Sequence, residues 1–424
     1  MHRAFIPACI MIGLFVRLAV AVLFPVEPAS DSRWYVARAN EIASGEGYQE
    51  GGFPTAYWPV GWPALLALGI RLLGNWEIAV VIINLLSAAA IMMSLIVAGR
   101  YVLGNELVAR LALALYAFYP NHIAYSGTAA SELPYTAIAI AAFLLLILGR
   151  RRILLVFSSG LLFGVATLIK PQTIAFPFGA VIALLILYRD FNWVAAGRTI
   201  LGVYLACLLV VLPWSYRNYQ VFGEWVLVST NGGTALLLGA NDQMTGQHFE
   251  YKQTSVFRDL GIPWEDRVER QIELNHRSVE AGLEWIKEHP VEYLAWMPVK
   301  LWLLWHKETD GFWAFQRTYP ASERAIFLLQ LVNQAIYTLI MVLSLIAAFH
   351  ALIALVRKDA PNKGLALMFC MPVFVSLVGM VFTGQIRYHF AAMPFLVLTA
   401  AWTSVWLWSR YGSRDGAETE RPGS

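Results

Sequence analysis

Apolar residues in this sequence gather into windows of roughly twenty, the length a helix rising about 1.5 Å per residue needs to cross about 30 Å of hydrocarbon. The windows run Phe5 to Phe24, Ile78 to Val97, Leu107 to Tyr125, Pro134 to Leu148, Ile153 to Ile169, Thr173 to Tyr188, Thr199 to Tyr216, Ile326 to Val356, Leu365 to Phe382 and Phe390 to Trp408. They predict an all-α polytopic membrane protein of about ten transmembrane helices. Composition agrees, because 58% of the 424 residues are hydrophobic and 14% are charged, too little polar surface for a soluble globule. Trp58, Trp62, Trp214, Trp305, Trp402 and Trp408 lie near the predicted span ends, where an indole meets headgroups. The net charge of +3 is small and scattered, which argues against nucleic acid as a partner. Cys9, Cys207 and Cys370 fall in apolar windows without a CxxC pair, so neither a disulfide framework nor a zinc site is indicated. The first window carries only Arg3 ahead of it and no small-residue cleavage site, and is read as a retained helix.

Orientation follows from the short loops, because Lys and Arg near span ends stay in the cytoplasm. One set of loops holds Arg3, Arg100, Arg110, Arg150, Arg151, Arg152, Arg189, Arg198, Arg357, Lys358, Lys363, Arg410 and Arg414; these are the predicted inside loops. The other set holds the segment Pro25 to Asn75, the turn Asn121 to Ser131, the Lys170 junction, the large loop after Tyr216 and the turn Gly384 to His389. The organisation that follows is a transmembrane module at 1–216 with its first outer loop at 25–75, an outer-face loop at 217–325, C-terminal helices at 326–410 and a polar cytoplasmic tail at 411–424. In the large loop Val268, Ile272, Val279, Leu283 and Ile286 recur at helical spacing, an amphipathic helix lying on the membrane surface. Val291 to Trp305 is apolar but short and contains Lys300. It is read as interfacial or re-entrant, since a crossing there would put Arg357, Lys358 and Lys363 outside.

Parity places Asp31, Glu132, Lys170, Arg217 and Arg387 at the outer ends of different helices, so they can converge. Asp31 and Glu132 each follow a Ser at a predicted helix start. The plain reading is a carboxylate complementing the helix dipole; the functional one is an ionised carboxylate acting as general base on an acceptor hydroxyl. Lys170, Arg217 and Arg387 break the positive-inside trend. Singly each is a cation snorkelling to headgroups; together they suit a pocket for an anionic group, Arg offering a fork and Lys a point charge to phosphate oxygens. His122, His306 and His389 match no metal-ligand spacing, and packing is the plainer role for each. No Walker loop, Rossmann fingerprint or nucleophile elbow occurs.

Asp31-Ser-Arg-Trp-Tyr, then Pro54-Thr-Ala-Tyr-Trp-Pro-Val-Gly-Trp-Pro and Leu73-Gly, resembles the first outer loop of GT-C glycosyltransferases, especially the bacterial branch related to protein O-mannosyltransferases and the lipid A aminoarabinose transferase. Tyr119-Pro-Asn-His-Ile-Ala-Tyr-Ser with Ser131-Glu132, Leu212-Pro-Trp-Ser-Tyr-Arg-Asn-Tyr with Ser229-Thr-Asn-Gly-Gly, and Ile386-Arg-Tyr-His with Pro394 continue it in order. That family moves a sugar from a polyprenyl phosphate donor to an acceptor on the outer face, usually with inversion. The resemblance implies that Asp31 is the first-loop catalytic acid, and that Glu132 is the second acidic position, where many relatives have Asp. It implies donor-phosphate roles for Lys170 and Arg387, which Arg217 and Tyr388 join, and weaker substrate-binding candidacies for Tyr57, His122, Asn231 and His389. It further implies a polyprenyl-phosphate-linked sugar and a glycan, lipid or protein acceptor as partners, and a multi-pass place in the plasma membrane. Some GT-C enzymes use a divalent cation, and nothing in the sequence fixes one or any other cofactor.

The rival reading from another class is a transporter or lipid flippase of the envelope glycan pathway. Transporters place ionisable groups near the midplane and carry internal repeats, whereas these charges lie at one predicted rim and no clear repeat is seen. A non-enzymatic assembly scaffold is the third reading, and it leaves the clustered charges without a purpose.

Overall fold

The computed structural model describes residues 4–188, 191–247, 254–356 and 363–411. Arg3, Arg189, Arg357, Lys358, Arg414 and most of the expected tail lie outside the described residues. The chain is all-α apart from one hairpin. It opens with α1 (Phe5–Leu23), α2 (Asp31–Ser44), the strands β1 (Gln49–Glu50) and β2 (Phe53–Pro54), α3 (Gly61–Leu73) and α4 (Trp76–Val97). Gly51 and Gly52, at φ +62° and +85°, make the two-residue hairpin turn, a conformation that needs positive φ at both positions. The expected polar first loop therefore holds two helices, and α3 is an apolar one that the Gly- and Pro-rich surroundings disguised.

Next come α5 (Glu106–Ala117), the short α6 (Pro120–Ala124), α7 (Glu132–Gly149), α8 (Ile153–Ile169), α9 (Phe176–Leu187) and α10 (Trp193–Phe222). The expected crossing from Leu107 to Tyr125 is broken in two. Pro120 forces Tyr119 into extended backbone, with ψ at 112°, because the proline ring clashes with a helical predecessor. The carbonyls this orphans at the end of α5 are met by Arg17 of α1, fully buried, which donates Nη1 to Ala117 O at 2.7 Å and Nη2 to Tyr116 O at 3.0 Å. An arginine inside the first apolar window is thus paid for by another helix's end. Helices α8 and α10 approach closely along Gly160 and Gly164: a Cβ on Gly160 would stand 2.4 Å from Val203 O, and one on Gly164 2.7 Å from Val210 Cβ. Small residues four apart are what lets two helices meet in lipid.

The remaining elements are α11 (Gly232–Leu238), α12 (Ser255–Arg258), α13 (Gln271–Glu288), α14 (Pro290–Trp305), α15 (Trp313–Thr318), α16 (Glu323–Val356), α17 (Lys363–Leu367), α18 (Cys370–Val381) and α19 (Met393–Tyr411). The amphipathic stretch falls in α13, which packs on α11; the residues it buries are Gln271, Leu274, Ser278, Gly282 and Trp285, whereas Leu283 of the expected stripe is exposed. The 16-residue α14 is about 24 Å long, short of a crossing. It is held against α18 and the turn after it, with Lys300 Nζ donating to Gly239 O at 2.7 Å. Around Tyr57 a small second core forms from Leu237, Leu238, Phe257, Ile262 and Leu274.

Among the described residues seven helical segments are long and apolar enough to cross a membrane: 5–23, 76–102, 132–149, 193–222, 320–353, 363–381 and 386–411. The count of ten is not reproduced, because the expected windows 107–125, 153–169 and 173–188 yield shorter helices. Large apolar side chains remain exposed along the outside of the bundle, among them Phe15, Leu86, Leu345 and Phe349. A surface of that kind belongs in lipid, and the protein is a multi-pass membrane protein.

Candidate active site

Asp31 is the first residue of α2, and the residue before it, Ser30, has φ +49°, the only positive φ at a non-glycine among the described residues. Such a backbone costs about 1–3 kcal/mol and persists only where its surroundings impose it. The Asp31 carboxylate meets Arg387, whose Nη1 donates to Oδ2 at 2.6 Å. Both side chains stay about one-third exposed, at 29% and 33%. Arg387 sits in a 3-10 turn, Ile386–Ala392, between α18 and α19. Its guanidinium lies 5.7 Å from the centre of the Tyr388 ring and in the field of Glu132 and Asp310 as well as Asp31.

Glu132 begins α7, behind a turn whose carbonyls at Tyr125, Ser126 and Thr128 face the buried amide of Asn84. Its Oε1 accepts from Lys170 Nζ at 3.1 Å. Lys170 ends α8 with extended backbone, as Pro171 requires, and its ammonium also sits 5.7 Å from the Tyr135 ring. Two carboxylate–cation pairs, Asp31 with Arg387 and Glu132 with Lys170, therefore share one end of the bundle, coupled through the field between Glu132 and Arg387.

Two further groups complete this cluster. Tyr35, one turn after Asp31, lies within the influence of Asp31, Glu132 and Arg387 and bonds Ser131; burial pushes its phenol well above the ordinary range, so it stays a hydrogen-bond donor. Asp310 accepts from Tyr125 Oη, and burial, against the pull of Tyr125 and Arg387, raises its carboxyl above the usual range. Neither was singled out by sequence reasoning. Asp310 follows α14 in Glu308-Thr-Asp-Gly, where no periodicity marks it, and only its encounter with Arg387 reveals it.

The other expected site residues are placed elsewhere or serve differently. Arg217 donates to Thr55 O and Tyr48 O at 3.0 Å each and to Asn218 Oδ1, with its guanidinium over the Trp214 ring. It clamps the first loop to the end of α10. Tyr57 is buried in the second core, its ring edge-on to Trp58 and Trp264 and its hydroxyl beside Thr234. Asn231 lies at the start of α11, accepting from Ser229 Oγ at 2.8 Å. His122 stacks on Phe390 with ring centres 3.7 Å apart, and His389 is buried beside Glu308. Asp31, Glu132, Lys170 and Arg387 form one group, with the Tyr388 ring beside Arg387. Among the described residues no three His, Cys, Asp or Glu side chains are arranged to hold a metal ion.

Residues 58–216 match the model of the dolichyl-phosphate-mannose-protein mannosyltransferase family, a span that includes Glu132 and Lys170. The fold is similar to that of the oligosaccharyltransferase AglB from Archaeoglobus fulgidus in complex with an inhibitory peptide and a dolichol-phosphate, at 11% identity and a TM-score of 0.54, covering 99% of this chain and 52% of that one. A second structure of that oligosaccharyltransferase, tethered to an acceptor peptide containing the NVT sequon, gives 11% identity and 0.53, with 100% and 52% covered. ArnT from Cupriavidus metallidurans bound to undecaprenyl phosphate aligns at 14% identity and 0.47, with 96% and 78% covered. The chain thus spans about half the length of the oligosaccharyltransferase it matches. No curated protein sequence matches it.

Proposed function

We propose that this protein transfers a sugar from a polyprenyl phosphate donor to an acceptor hydroxyl at the outer face of the plasma membrane. The observation that carries the reading is the pairing of Asp31 with Arg387 beside Glu132 and Lys170, a base and two phosphate-binding cations within one rim of a GT-C fold. Nη1 of Arg387 holds Asp31, and the rest of the guanidinium fork can engage phosphate oxygens. As the fork turns to the phosphate, a lone pair of Asp31 is released for the acceptor.

Asp31 then takes the acceptor proton while the acceptor oxygen attacks the anomeric carbon, and the bond from that carbon to the phosphate oxygen breaks. Attack from the face opposite the phosphate gives inversion. The polyprenyl phosphate leaves with its charge stabilised by Arg387 and Lys170. Because phosphate is a good leaving group, the second carboxylate need not act as the general acid it is in glycosidases. Glu132 is free to orient Lys170 and the sugar.

Mass spectrometry of envelope glycolipids and glycoproteins with and without the protein names sugar and acceptor together. Purified protein given the matching polyprenyl phosphate sugar and acceptor should then form the product. An unchanged envelope profile, together with no transfer in the purified system, would leave the reading without support.

A further inference from the structure

Two residues from Arg387 the same turn carries His389, which is fully buried, and two residues from Asp310 the same loop carries Glu308, almost as buried. The two i, i+2 pairs face each other. His389 Nε2 meets the Glu308 carboxylate, and Nδ1 meets Leu304 O at 2.5 Å. Leu304 O can only accept, so Nδ1 carries a proton, and Nε2 and the Glu308 carboxyl share a second hydrogen bond. Its faces are filled by Trp305, with ring centres 5.0 Å apart, and Tyr337, at 5.6 Å, both nearly parallel to it.

Glu308 is as firmly held. Its other oxygen accepts from Asn121 Nδ2, its carbonyl accepts from Asn333 Nδ2, and its N–H donates to Gln334 Oε1 at 3.1 Å. Asn121 in turn ties Gly311, beside Asp310, through Gly311 N to Oδ1 at 2.8 Å. A buried ion pair is weak evidence for stability, because desolvation offsets the attraction. What this one does is fix, on both sides, the backbone that bears Arg387 and the backbone that bears Asp310.

We propose that Glu308 and His389 are positioning residues whose buried pair aims the Arg387 guanidinium at the donor phosphate. The proposal rests on the donor-phosphate reading of Arg387. The pair does not touch the substrate; it acts through Arg387. A guanidinium whose supporting turn shifts by a fraction of an ångström loses the fork geometry that a phosphate rewards.

The test measures the affinity of the full-length protein in nanodiscs for undecaprenyl phosphate, with the melting temperature of each variant. Glu308→Ala should weaken binding about tenfold or more, the scale of small misplacements, and Glu308→Gln, which can still hold a neutral His389, should restore most of it. Arg387→Ala should weaken binding at least as much, and Glu308→Ala combined with Arg387→Ala should be no weaker than Arg387→Ala alone, since the support has nothing left to aim. If Glu308→Ala does not fold, His389→Phe keeps a ring in the slot between Trp305 and Tyr337 while losing both hydrogen bonds, and the same non-additivity is expected. Unchanged affinity in Glu308→Ala, or losses that multiply in the double variant, overturns the positioning role while leaving the reading of Arg387 standing. Unchanged affinity in Arg387→Ala removes the phosphate reading itself, and the proposal with it.

Discussion

Asp31 Oδ2 and Arg387 Nη1 stand 2.6 Å apart although 356 positions separate them in the chain, so the first loop and the last are joined at one carboxylate. The pair separates two roles for Asp31 that a helix N-terminus alone leaves mixed. If Asp31 only complements the dipole at the start of α2 and pairs with Arg387 at a partly exposed site, Asp31→Asn costs up to about 1 kcal/mol of stability and leaves turnover near wild type. As general base, its loss lowers transfer by at least about 100-fold with melting almost unchanged. Turnover and melting temperature of the reconstituted variant decide it, and wild-type turnover would remove Asp31 from the chemistry.

Arg387 and Arg410 lie at opposite ends of α19 and its leading turn, and Arg410 rests against the Trp406 ring, exposed. Arg387→Ala should therefore raise the donor KM or abolish transfer, while Arg410→Ala leaves both unchanged. Arg387→Lys should recover only part, since a point charge cannot reproduce two parallel N–H donors. Equal kinetics for all three, at matched protein levels, would take Arg387 out of the donor site.

Much of this was legible in the sequence because hydropathy is local. Seven apolar windows became helices long enough to span, and α13 followed from its spacing. Pairing is not local, and that is where reading stopped. Arg217 carries the same charge as Arg387, but the fold turns it to the carbonyls of Thr55 and Tyr48, and nothing near it in sequence says so. Glu308 and Asp310 lie in a segment without periodicity and gain meaning only from the turn they face. The break at Tyr119-Pro120 could have been read from the proline; its partner Arg17, inside the first apolar window, could not.

Arg17 offers a stability prediction. With Arg17→Met the carbonyls of Tyr116 and Ala117 lose a charged donor in a site closed to water, and each such bond is worth about 1.5–3 kcal/mol. A loss of roughly 3 kcal/mol or more is expected, read as a large drop in melting temperature in detergent. Turnover per folded molecule should fall little, because Arg17 is not part of the charged rim. A melting temperature equal to wild type would show that α5 ends without help from α1.

Sidedness is open to direct labelling. Glu132 and Arg151 bracket α7, so a single crossing puts them on opposite faces. Single cysteines at 31, 132 and 387 should react with an impermeant maleimide from outside, and one at 151 only after the cytoplasmic face is opened. Reaction of 387 from the cytoplasm, with 31 still outside, would be incompatible with the ion pair between them.

Lys300 gives the pH dependence. It is fully buried on α14, with Gly239 O as acceptor and the Tyr293 ring 4.6 Å from its ammonium, and burial lowers its pKa from 10.5 to about 8. Between those values the unfolded chain holds a proton that the folded one has released. Stability therefore rises with pH across that window, by roughly 3 kcal/mol for a shift of this size. Below about pH 8 the folded protein carries the buried charge and bears its desolvation cost. Lys300→Met removes the titration, so the difference in stability, variant minus wild type, should be most favourable to the variant near pH 7 and shrink steadily towards pH 10.5. Melting curves for both proteins at half-unit steps supply the comparison, and parallel pH profiles would show that Lys300 keeps its ordinary affinity for protons in the folded state.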